Sequence, residues 1–231
     1  MWFSSELRIV GAPWRLSFSV GRRDHNRICL TNMIVERQKL SRRELIEAYL
    51  KYEASKPTKN LAAPSDIDEW DWNNPNAIDQ KLRSNCFKWG IVSGFKCWQH
   101  VTLFREDLLK CAIVNDIFPG ESQVLSDLVS LPDFWSWRPD RPTEWYDRLN
   151  GGGPFSREWA LILRPAVSSE CPAVWYIEDG GGRAVCFLRR LIRENDQTNV
   201  ACGYLGEDPD SSSEFMASRY PELLSRAEGR G

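Results

Sequence analysis

Apolar residues along the chain recur at two periods, one helical and one strand-like, and the switches between them mark the elements. Leu45, Ile46, Tyr49, Leu50 and Tyr52 follow Ser41-Arg42-Arg43-Glu44 at helical spacing. This predicts a helix over residues 42–55, opened by a capping box in which Ser41 and Glu44 each bond the other's backbone N–H. Lys56-Pro57 ends it, and residues 57–80 read as a polar connector holding Asp66-Ile67-Asp68-Glu69-Trp70-Asp71-Trp72. Nearer the amino terminus, Arg8-Ile9-Val10 and Leu16 to Val20 form an expected strand pair, followed by the basic turn Gly21 to Arg27 and by Ile28-Cys29-Leu30 and Met33-Ile34-Val35. Phe87 to Val92 and Phe95 to Val101 read as a hairpin about Ser93-Gly94, and residues 105–115 follow helical spacing through Leu108, Leu109, Ala112 and Ile113. A helix is expected at Pro142 to Leu149, with proline in its first turn and Asn150-Gly151-Gly152-Gly153 as a left-handed ending.

The carboxy-terminal third has the clearest grammar. Leu161 to Ala166 and Trp175 to Asp179 are apolar strand-like runs, the second halting in Glu178-Asp179 and three glycines before Ala184-Val185-Cys186-Phe187-Leu188 resumes as a helix. A polar break at residues 195–199 separates this helix from a further strand, Val200 to Gly206. Consecutive glycines allow backbone N–H groups to approach a ligand without interference from Cβ atoms, and a following helix start supplies unpaired donors at a positive dipole end. Arg183 at that start is a candidate bidentate cation for phosphate. The same residues also fit a glycine turn followed by a surface arginine.

Asp179, Gly180, Arg183 and Ala184 match, position by position, the strand, D-G-x-x-R turn, alanine and helix of the ParB and sulfiredoxin-like superfamily, which residues 140–225 resemble. That resemblance implies a nucleotide or phosphate site in the turn. Gly180, Gly181 and Gly182 would cradle phosphates, Arg183 would neutralise them, and Asp179 would hold Mg2+ or orient the turn. It further implies ATP or another nucleotide as cofactor. From the related free serine kinases comes an upstream catalytic glutamate, for which Glu144 is the candidate by position and Glu178 the candidate by proximity. Sulfiredoxin repair chemistry is not implied, because Cys186 falls inside the helix rather than in the turn.

Composition narrows the remaining classes. Thirty basic against thirty-two acidic residues give a formal charge of −2, so there is no global footprint for nucleic acid. Lys88, Trp89, Phe95, Lys96 and Trp98 alternate as a base-stacking surface would, and equally as a half-buried strand would. Seven cysteines without C-x-x-C spacing read as reduced thiols of a cytoplasmic protein, and two histidines exclude a multi-histidine metal site. No apolar run reaches the length of a membrane-spanning helix. Eleven tryptophans are expected to be core or interface anchors. The expected fold class is α+β, a mixed sheet with helices, with a sheet-and-helix region over 1–125 and a ParB/sulfiredoxin-like domain over 126–231. Two functions fit. One is nucleotide binding with phosphoryl transfer to a small-molecule acceptor. The other is a non-catalytic module gripping DNA or a protein partner in a regulatory, defence or mobile-element system.

Overall fold

A computed structural model describes residues 37–55, 69–74, 76–78, 80, 89–114, 116–138, 147, 149–153, 155, 160–167 and 173–229. The expected strands and basic turn before residue 37, Asp66 to Asp68, and Glu144 lie outside the described residues. The strands are β1 (Arg37–Leu40), β2 (Phe95–Leu103), β3 (Cys111–Ile113), β4 (Leu161–Pro165), β5 (Trp175–Asp179) and β6 (Ala201–Pro209). They form one six-stranded mixed sheet in the order β1-β2-β6-β4-β5-β3. Pairing is antiparallel for β1 with β2, β2 with β6 and β4 with β5, and parallel for β4 with β6 and β3 with β5. This is an α+β fold. Thr31–Gly231 is one compact unit, and its sheet interleaves strands from both sides of the expected 125/126 boundary.

Strand alternation splits the core between the two faces of the sheet. Leu161, Leu163, Trp175, Ile177, Ala201 and Leu205 pack with α6 (Gly181–Arg193) in one apolar cluster. Ile162, Trp98 and Tyr204 pack in the other with α1 (Arg42–Ser55), α2 (Trp89–Ser93), α7 (Glu214–Arg219) and α8 (Pro221–Glu228). The short helices α3 (Arg105–Leu109), α4 (Leu125–Leu128) and α5 (Pro132–Ser136) contribute Leu108, Leu125, Leu128 and Phe134 to the α6 side.

The predicted helix over 42–55 is present with its box: the Ser41 N–H donates to Glu44 Oε2 at 2.7 Å, and the Glu44 N–H donates to Ser41 Oγ at 3.2 Å. Two expectations are corrected. The hairpin about Ser93-Gly94 is absent, because residues 89–93 are helical and β2 pairs instead with β1 and β6. Packing decides this: a Cβ on Gly90 would sit 2.5 Å from the Phe215 ring and one on Gly94 2.5 Å from Met216 Sδ, so the two glycines mark where α7 closes on this segment. The helix expected over 105–115 stops at Leu109, because Cys111–Ile113 is captured as an edge strand by parallel pairing with β5. Of the alternating residues, Phe95 and Trp98 are buried in the α1-side cluster while Lys96 is exposed, the pattern of a half-buried strand; Lys88 and the Trp89 side chain lie outside the described residues.

Among the described residues, tryptophan follows expectation. Trp70, Trp98 and Trp175 are buried, Trp72 stacks on Trp70 at 5.7 Å, and Trp135 and Trp137 lie half-buried beside Phe134 and Phe118.

Candidate functional site

The glycine turn sits where β5 runs into α6. Gly180 is the helix N-cap, in the left-handed region at φ +95°. A side chain there would be strained, and its Cβ would also stand 2.5 Å from Arg183 Nη2 and 2.6 Å from Leu161 Cδ2. The intrahelical ladder opens with Ala184 N–H donating to Gly180 O at 2.9 Å, so the Gly181 and Gly182 N–H groups have no acceptor within the helix. Gly181 is buried against Ile117 and Ile113, whereas Gly182 is half-buried. The turn therefore offers a partly accessible helix start at the end of a central strand.

Arg183 is placed differently from the expected phosphate clamp. Its side chain is 1% exposed and folds back over the turn, donating from Nη2 to Asp179 Oδ2 at 2.9 Å and to the Ala160 carbonyl at 3.3 Å. It braces the turn from beneath. Asp179, with 21% of its side chain exposed, reaches the surface at the rim.

Glu178 belongs to the other face of the sheet. The β4–β5 register slips between Ile162 and Leu163, which pair with Asp179 and Ile177, and this leaves Glu178 as the extra residue of a bulge. Its Oε1 accepts from Arg164 Nε at 2.6 Å and from Tyr220 Oη at 2.9 Å. The Arg164 guanidinium lies between two rings, 4.3 Å from the Tyr176 centroid and 4.1 Å from that of Tyr220. Burial first, then the Glu178 charge, pushes the Tyr220 hydroxyl up to about 12, so it remains a donor at neutral pH. Glu178, the candidate carboxylate by proximity to the turn, is thus turned away from α6 by the bulge and the arginine.

Two further α6 arginines are buried in the same manner. Arg189 Nη1 donates to the carbonyls of Phe134, Trp135 and Trp137 at 3.3, 3.1 and 2.8 Å, gathering the end of α5. Arg190 Nη1 donates to the carbonyls of Leu149 and Gly153. These helix and turn ends carry carbonyls that need donors, and a forked cation satisfies several together. Sequence reasoning missed this role for Arg189 and Arg190; the signal was an apolar run that continues on both sides of them.

Thiol chemistry finds no support near the turn. Burial pushes the Cys111 thiol above its ordinary value, with the Asp107 charge adding to it, and burial raises Cys186 despite the opposing Arg189. Among the described residues no group of three His, Cys, Asp or Glu side chains is placed to hold a metal, and no helix is long and apolar enough to cross a membrane. Comparison with known protein families, curated proteins and solved structures finds no match to the chain.

Proposed function

We propose that the chain binds a nucleotide or a related phosphate ligand at the β5–α6 turn, within a domain of the ParB/sulfiredoxin-like kind. The observation that carries this reading is the left-handed Gly180, which ends β5 and exposes the start of a 13-residue helix whose Gly181 and Gly182 N–H groups have no intrahelical acceptor. Such donors, at the positive end of a helix, suit an anionic oxygen. The bulge at Glu178 is consistent with a functional turn, since bulges are over-represented beside active sites.

In this reading the phosphate is held by backbone, chiefly at Gly182, with Arg183 fixing the turn and lending its charge from below. Asp179 at the rim fits Mg2+, which commonly takes one or two carboxylates and completes its shell with phosphate oxygens and water. Both described carboxylates at the end of β5 are engaged by arginines, Asp179 by Arg183 and Glu178 by Arg164. That favours binding over turnover and makes a regulatory nucleotide-binding module the leading form of the proposal. Phosphoryl transfer to a small-molecule acceptor would draw its base from elsewhere, with Glu144 the residue to test.

The experiment is a melting-temperature series with ATP, ADP, CTP and GTP, with and without magnesium, at ligand concentrations up to about a millimolar. A ligand bound only by the native state raises the melting temperature by mass action. A rise with any of these nucleotides supports the site, and none with any of them overturns it.

A further inference from the structure

The carboxy-terminal helices meet at Tyr220, which caps the end of α7 and the start of α8 with φ −135° and ψ 52°. It does more than join them. Its hydroxyl bonds Glu178 at 2.9 Å and its ring covers one side of the Arg164 guanidinium. A second tie is polar as well, Arg226 Nη1 donating to the Ala166 carbonyl just past β4 at 3.0 Å. Glu178 in turn is the bulged residue immediately before Asp179 and Gly180. The contacts that hold the α7–α8 pair to the sheet and the backbone that shapes the glycine turn therefore share one residue.

We propose that Tyr220 is a latch: docking of the α7–α8 pair, through the Tyr220–Glu178–Arg164 cluster, sets the backbone geometry of the β5–α6 turn on the opposite face of the sheet. The physical basis is the bulge. An unpaired extra residue has no ladder register of its own, so its conformation is set by whatever holds its side chain. With Tyr220 docked, Glu178 Oε1 is fixed by two donors and Asp179 is delivered to Arg183 at 2.9 Å. With Tyr220 lifted, Arg164 loses one of its two flanking rings and Glu178 one of its donors, in a buried cluster where unmade hydrogen bonds are costly. The bulge then has room to relax and the turn moves with it. Tyr220 is a positioning residue: it acts on the turn through its bond to Glu178 and does not touch the turn itself. What the latch regulates rests on the binding proposal; the coupling itself does not.

Hydrogen exchange of the unliganded full chain, read at the amides of residues 180–184, tests the coupling apart from any ligand. Tyr220→Phe keeps the ring over Arg164 and removes the bond to Glu178. It is expected to speed exchange at these amides about tenfold, as for loss of a hydrogen bond to a charged group. Leu223→Ala trims the apolar packing of α8 and leaves the Tyr220–Glu178 bond in place, so the same amides are expected to stay within about twofold of wild type. Glu178→Gln, which weakens both bonds while conserving shape, should reproduce the Tyr220→Phe pattern and stands in for it if that variant does not fold. Unchanged exchange at the turn in Tyr220→Phe and Glu178→Gln, or equal acceleration in Leu223→Ala, would overturn the latch.

Discussion

Helices α1 and α6 are of similar length and carry two and four arginines, yet they use charge in opposite ways. On α1, Arg43 is exposed and pairs with Glu47 one turn on at 2.6 Å, and the amino terminus is closed by the Ser41–Glu44 box. On α6, Arg183, Arg189 and Arg190 are buried among apolar residues, and the amino terminus has a left-handed glycine with no side-chain cap. The first helix is stabilised by its own sequence. The second is held by its surroundings, and its arginines in return hold the loops around it.

The largest expected effect follows from that difference. Arg189→Ala strands three carbonyl acceptors and should cost about 3–5 kcal/mol in denaturant unfolding, whereas Arg43→Ala, removing a solvated pair and the contact of Arg43 with the Trp72 ring at 5.1 Å, should cost about 1 kcal/mol or less. Equal costs would break the contrast. Next, Gly180→Ala forces a side chain into the left-handed region and against Arg183 and Leu161, for an expected loss of about 2–4 kcal/mol. Ser41→Ala should then cost about 1 kcal/mol through the lost cap.

The smallest effect is in pH. Backbone and hydroxyl bonds from Ser41 hold the Glu44 carboxyl below its ordinary value of 4.5. A depressed carboxylate contributes stability that is present above 4.5 and is lost as pH falls through its folded value. The acid loss seen by hydrogen exchange in α1 should therefore shrink in Ser41→Ala. An unchanged acid profile would mean that the Ser41 hydroxyl contributes nothing through Glu44, since the Ser41 backbone bond survives this substitution.

What the sequence disclosed tracks the same divide. The α1 box, the run β4, β5, turn, α6, β6, and the glycine turn itself were legible because local chemistry specifies them. The helix at 89–93 and the strand at 111–113 were not, since one depends on α7 closing over Gly90 and Gly94 and the other on a distant parallel partner. Of the candidate site, Asp179, Gly180 and Gly182 stand where the pattern put them. Arg183 and Glu178 do not, because burial and a bulge, invisible to spacing, turn their side chains toward protein partners.

The most direct measurement is calorimetric titration of magnesium nucleotides into wild type, Gly182→Pro and Gly182→Ala. Proline in the first helical turn removes one backbone donor at little cost to the helix, whereas alanine keeps it. Binding in wild type and Gly182→Ala, with loss in a folded Gly182→Pro, is the result expected if the turn holds phosphate through its backbone. Equal affinity in all three, or no heat with any nucleotide at about a millimolar, would contradict it.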